Sequence, residues 1–156
     1  VYLPIFDKTK DSRKKNKKKI SSSDFVILEG WCVGARPLPN EYLFKNINTI
    51  EKNSDKQHIW RKNYNRYLKD YQDLFKLFNC YIYILNPSWK NVISWKYKQE
   101  LKLRSQKSNL KLLSKLKDFI MYYEKITRWM MKTSKLNSNI LIKVDKYQKF
   151  RKIIYK

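Results

Sequence analysis

Asp24 to Pro39 reads DFVILEGWCVGARPLP, and the fold follows from how this stretch is divided. Phe25-Val26-Ile27-Leu28 is a compact apolar run, the pattern of a strand covered on both faces. It ends at Glu29-Gly30, where a strand hands over to a loop. That loop holds both glycines of the chain, Gly30 and Gly34, together with Pro37 and Pro39, which favour turns. Upstream, Val1 to Phe6 is a short apolar stretch that reads as a strand end. It runs into a solvated loop containing the basic segment Lys14 to Lys19, broken only by Asn16, and Ser21-Ser22-Ser23 punctuates before the next strand.

Downstream, the apolar side chains of Trp60, Tyr64, Tyr67, Leu68, Tyr71, Leu74, Phe75 and Phe78 recur at intervals of three and four. This spacing predicts an amphipathic helix over 57–79. Tyr81 to Leu85 is β-branched and aromatic, and Asn86-Pro87 supplies an N-cap and a proline at a first helical position. A helix carrying Trp89, Val92, Ile93, Tyr97 and Leu101 follows. A polar interval from Arg104 to Asn109 separates it from another with Leu112, Leu116, Phe119, Ile120, Tyr123, Thr127 and Met130, closed by Asn137-Ser138. Ile140 to Val144 reads as a last strand. Strands alternating with long helices require crossover connections, so the expectation is a single α/β domain over 1–156 with a mainly parallel sheet.

The composition limits what such a domain could do. At 42% hydrophobic residues the chain is too apolar to stay disordered, despite 31% charged residues. Its net charge of +23 attracts polyanions, so a basic nucleic-acid-binding protein is one reading, with aromatics such as Tyr64, Tyr67 and Tyr71 available to stack on bases. The excess is mostly Lys, scattered among Asn, Ile and Tyr, and an AT-rich coding sequence yields that composition without a selected partner. Nonspecific nucleic-acid association is the most that charge alone implies. Cys32 and Cys80 lie far apart and His58 is the one histidine, which suggests neither a zinc site nor a disulfide framework. Unpaired cysteines fit a reducing compartment, and no apolar run approaches the roughly 20 residues that span a bilayer. The expected location is the cytoplasm, away from membranes.

In open parallel sheets, ligands sit beyond the carboxyl ends of the strands. The groups there are Asp7, Lys8 and Arg13 after the first strand, and Glu29, Gly30 and Arg36 after the second. A carboxylate directly after a buried strand suits Mg2+ beside nucleotide phosphates, or is simply an acidic residue at an exposed strand end. The spacing leaves both open.

Several segments in order resemble one family. The Glu29-Gly30-Trp31 loop with Pro37-Leu38-Pro39 is similar to the second nucleotide motif of D-glycerate 3-kinase-like P-loop kinases, relatives of uridine kinase, phosphoribulokinase and pantothenate kinase. Leu3-Pro4-Ile5-Phe6-Asp7-Lys8 with Asp11 and Arg13 resembles that branch's P-x-F-D-K segment and D-x-R tail. Trp60-Arg61 through Tyr71-Gln72-Asp73-Leu74-Phe75, Asn86-Pro87-Ser88-Trp89, Gln99-Glu100, Lys102-Leu103-Arg104 and Tyr122 to Trp129 extend the match to about Asp145. The resemblance implies phosphoryl transfer from ATP, with Mg2+, to a hydroxyl of a small acid, glycerate by analogy. Under it Glu29 is the Mg2+-associated carboxylate and Asp7 orients or deprotonates the acceptor. Lys8, Arg13 and Arg36 bind the substrate, with the two guanidinium forks on its carboxylate, and Arg104 and Arg128 approach the transferring phosphate from a lid at about 104–113.

Three departures stand out. Ser105 to Leu113 lacks the glycine usual in the lid, and Lys125 stands where the pattern favours Arg. No G-x-x-x-x-G-K-[ST] occurs in the 156 residues. In the family that loop follows a strand lying between those that end here at Glu29 and Leu85. The expectation is therefore a sheet with a gap, a chain prone to aggregate, and a kinase that is inactive as this chain alone, or a non-catalytic remnant.

Overall fold

The computed structural model describes residues 1–7, 10, 12–103 and 110–156, with the Leu103 side chain left undescribed. The chain forms two compact units, Val1–Gly30 and Trp31–Lys156. Mixed α and β structure is present, with ten elements among the described residues.

In the first unit, β1 (Tyr2–Asp7) and β2 (Ser12–Lys19) form an antiparallel hairpin, with Tyr2 opposite Lys19, Leu3 opposite Lys18, Pro4 opposite Lys17 and Phe6 opposite Arg13. The ladder shifts register between Pro4 and Phe6, where β2 carries extra residues. The basic segment is therefore a strand, not the expected solvated loop. Its long side chains stand clear of the ribbon on both faces, so their charges stay hydrated while the backbone pairs. Phe25 to Leu28, expected as a buried strand, forms no strand, and Phe25, Val26 and Ile27 are 88–90% exposed. No neighbouring strand accepts its backbone among the described residues, and apolar sequence alone does not make a strand without one.

The second unit is built on helices. After α1 (Asn40–Leu43) and α2 (Thr49–Asn53) come α3 (Ile59–Phe75), β3 (Ile82–Leu85), α4 (Trp89–Leu103), α5 (Leu110–Asn137), β4 (Ile140–Val144) and β5 (Phe150–Tyr155). β3 pairs parallel with β4 through the helical crossover, and β4 pairs antiparallel with β5. The expected sheet is thus small, and one of its two ladders is parallel. β5 lies beyond the last strand expected from the sequence; Asp145 forms the turn before it by accepting N–H groups of Tyr147 (2.8 Å) and Lys149 (3.0 Å). The helix after β3 begins at Trp89, and Ser88, not Asn86, caps it, its hydroxyl accepting from Asn91 N at 3.4 Å.

The buried face of α3 also differs from the expected aromatic stripe. Arg61, Asn65, Leu68 and Phe75 are buried, whereas Tyr67, Tyr71 and Leu74 are exposed. The buried set recurs at four and three, and its polar members are satisfied by the loop they support. Asn65 accepts from Leu38 N (2.7 Å) and donates to Leu38 O (3.0 Å); Gln72 donates to Ala35 O (3.0 Å). Against them pack Ala35, Leu38, Leu43, Leu68, Ile126 and Met130, with Trp89, Leu116 and Ile120 forming a second cluster between α4 and α5.

Behind this core lies a fully buried ionic network. Arg61 donates to Asp55 Oδ2 (2.8 Å) and to the carbonyls of Asp55, Glu51, Leu43 and Phe44. Lys125 pairs with Glu51 Oε2 at 3.1 Å and donates to the carbonyls of Tyr42, Leu43 and Lys45. Burial alone pushes the Asp55 carboxyl up, yet the Arg61 side chain and the Trp60 and Arg61 N–H groups outweigh it and hold it below its ordinary value. Burial pushes the Lys125 ammonium down, opposed by Glu51.

Two outcomes follow from these contacts. Lys125→Met leaves Glu51 buried with Arg61, 3.6 Å away, as its one cation among the described residues and should cost about 3–5 kcal/mol in denaturant unfolding, while adding Glu51→Gln should recover part of that loss; additive effects would contradict the pairing. The edge of β3 away from β4 has no partner among the described residues, and Ile82 and Ile84 are each 58% exposed. Sedimentation velocity should show self-association that Ile84→Lys reduces; a monomeric, cooperatively melting wild type would refute this.

Candidate active site

The carboxyl end of β3 is where the second unit gathers polar groups. Asn86 leaves the strand with its Oδ1 buried and without a partner among the described residues. Two residues after Pro87, Trp89 opens α4, and the Arg128 guanidinium of α5 lies over its ring, 5.9 Å from the centroid. Arg128 is held by Glu124, whose Oε1 accepts from Nε at 2.7 Å, and Glu124 Oε2 in turn accepts from Asn48 at 3.2 Å. The guanidinium remains 47% exposed, so it has charge to offer an anion arriving there.

The loop after Gly30 is fastened to the same helix. Trp31 Nε1 donates to Thr127 Oγ1 at 2.8 Å and stacks edge-on against Tyr123 at 4.9 Å. Trp129 Nε1 donates to the Arg36 carbonyl at 3.0 Å. Of three successive residues of α5, Thr127 and Trp129 thus hold the loop, and Arg128 between them keeps an exposed guanidinium. Gly34, at φ +78°, passes so close to the Tyr81 ring that a Cβ there would lie 2.6 Å from it.

Arg36 itself is exposed, and among the described residues its guanidinium makes no hydrogen bond or ion pair. It borders a cavity of about 210 Å³ lined also by Gly34, Lys76, Tyr81, Asn137 and Ser138, at the amino end of β3. Arg128 is not part of that lining. Arg36 thus borders this cavity, whereas Arg128 lies over Trp89.

In the first unit, Asp7 ends β1 and accepts from Lys10 N at 3.4 Å; Arg13 faces Phe6 across the hairpin. Glu29 is exposed, and among the described residues its carboxylate has no hydrogen bond or ion pair. Lys8, Arg104 and residues 104–109 of the expected lid lie outside the described residues. No cluster of three His, Cys, Asp or Glu that could hold a metal occurs among the described residues, and no described helix is long and apolar enough to cross a membrane.

Comparison over the whole chain gives a TM-score of 0.74 with D-glycerate 3-kinase from Cryptococcus neoformans var. grubii, at 20% identity, covering 100% of this chain and 60% of that one. The chain has a glycerate-kinase-like fold. It is also 28% identical over 115 residues to the uncharacterized kinase mug58 of Schizosaccharomyces pombe, covering 68% of this chain and 40% of that protein. It therefore spans less than two thirds of the length of either. No protein-family model matches. Both comparisons support the glycerate-kinase-like resemblance read from about Tyr2 to Asp145.

In the sequence Trp60-Arg61 and Glu124 follow the family pattern and Lys125 departs from it, with no sign that Arg61 and Lys125 are fully buried and share Glu51. Gly34→Ala should lower the thermal midpoint by several degrees through strain and the Tyr81 clash, and Tyr81→Ala should relieve the steric part; an unchanged midpoint in the single variant would refute the close approach.

Proposed function

We propose that this chain forms the acceptor-binding and lid-bearing part of an ATP-dependent small-molecule kinase, with a small hydroxy acid, glycerate by analogy, as phosphoryl acceptor. The observation that carries the reading is the likeness of fold to D-glycerate 3-kinase over the full chain. Arg128, anchored and half-exposed at the carboxyl end of β3, supports it.

The residues present fit Mg2+ in one respect. Mg2+ keeps several waters and takes one or two protein carboxylates, so the single unpaired Glu29 suffices and a three-ligand cluster is not needed. When bound with ATP, Mg2+ neutralises charge on the phosphates. The backbone cradle for the triphosphate is not encoded in these 156 residues.

On this reading Asp7, at the end of β1, orients the acceptor hydroxyl and takes its proton. Lys8, Arg13 and Arg36 supply positive charge for the acid, the arginines as bidentate forks on its carboxylate. Arg128 offers its free N–H groups to the phosphoryl oxygens, and Arg104 joins it from the lid. Catalysis of this kind is positioning and charge neutralisation, which asks for rigid placement of few groups.

The test is transfer of labelled phosphate from ATP to D-glycerate, in this chain and in a chimera with a strand–G-x-x-x-x-G-K-[ST]–helix segment placed ahead of Val1. The chimera should form phosphoglycerate and the chain alone should not. Asp7→Asn and Arg128→Ala should each lower the chimera's turnover at least 100-fold. A folded, ATP-binding chimera that phosphorylates neither glycerate nor other small hydroxy acids would overturn the proposal.

A further inference from the structure

Apart from Arg13, the cations of β2 in the first unit carry charge that the kinase reading does not use. β2 reads Ser-Arg-Lys-Lys-Asn-Lys-Lys-Lys, and all eight residues are exposed. Six of them, Arg13, Lys14, Lys15, Lys17, Lys18 and Lys19, are cations. Successive side chains of a strand alternate between its faces, so Arg13, Lys15, Lys17 and Lys19 line one face at about 6.6 Å intervals and Lys14 and Lys18 the other. Scattered charge lacks this property. Pairing with β1 collects it on one ribbon, with Asp7 the sole acidic residue among the paired strands.

Aromatic rings stand beside those charges. Tyr2 is 61% exposed opposite Lys19, and Phe6 is 54% exposed opposite Arg13. Each pair places a flat ring next to a cation, and the two pairs are four residues apart on β1, about 13 Å. Alternating phosphate-binding cations and base-stacking rings is the arrangement that holds single strands without reading sequence.

We propose that the β1–β2 hairpin binds single-stranded nucleic acid, with the lysines of β2 on the phosphates and Tyr2 and Phe6 stacking on bases. Binding is sequence-tolerant, since any base offers a ring face. A ribose and a deoxyribose backbone present the same phosphates and bases to it.

Fluorescence anisotropy with 12-nucleotide oligo(dT) and oligo(rU), titrated between 50 and 200 mM salt, tests this on the full chain. Four phosphate contacts on a single strand, one for each cation of the face, give a log–log salt slope of about −3. Changing Lys14, Lys15, Lys17, Lys18 and Lys19 to Gln should flatten the slope to about −1 and weaken binding at least 100-fold at 50 mM salt. Changing Lys111, Lys115, Lys117, Lys132 and Lys135 to Gln removes the same charge from α5 and should leave the slope near its wild-type value. Tyr2→Ala with Phe6→Ala should weaken binding about 10-fold or more without altering the slope. Equal oligo(dT) and oligo(rU) affinities are expected, and a preference for either identifies the backbone that is bound. Equal losses from the β2 and α5 variants would overturn the proposal, as would intact binding in the Tyr2/Phe6 variant or tighter binding to polyphosphate or anionic vesicles of matched charge.

Discussion

The second unit depends on the charges of Arg61 and Lys125, removed from water and returned to partners. Arg61 reaches Asp55, Glu51 and four carbonyls; Lys125 reaches Glu51 and three. Together they bind the segment from Tyr42 to Asp55, which has only two short helices of its own, to α3 and α5. An apolar core could fill that volume but could not satisfy the loop's carbonyls, which would be costly to bury unpaired. Lysine in place of the arginine favoured by the family resemblance is understandable here. An ammonium has three donors and no fixed plane, and its surroundings are three carbonyls and one carboxylate oxygen, not a carboxylate that calls for a fork.

From that support follows the placement of groups for chemistry. Glu124, one residue before Lys125, is held by Asn48 and holds Arg128; Thr127 and Trp129 hold the loop that begins at Trp31. One stretch of α5 thus serves stability on its buried side and presents the Arg128 guanidinium, proposed above as the anion's partner, on its open side. The price of this economy is that changes to Glu124 or Lys125 would disturb both.

How much of this was legible in the sequence depended on range. The long helices, β3 and β4 were visible because their periodicity is local and their ends carry turn residues. Phe25 to Leu28 looked like a strand because its side chains favour one, but a strand needs a neighbour, which residue type does not report. The hairpin was hidden for the opposite reason: a lysine run reads as solvated, and pairing through the backbone leaves it solvated. Among the expected site residues, Glu29 and Arg128 rest on motif alone, and the cavity beside Arg36 needs segments distant in sequence, Gly34, Tyr81 and Ser138, to come together. Arg61 matches a motif and is a core residue.

The claim most exposed to test is that the carboxyl end of β3, with Arg128, faces the phosphate that the small acid receives. Amide hydrogen exchange with and without millimolar phosphoglycerate addresses it directly. Slowed exchange in residues 86–91 and 124–130 is expected. Unchanged exchange there, or slowing confined to the cavity around Tyr81 and Ser138, would contradict it.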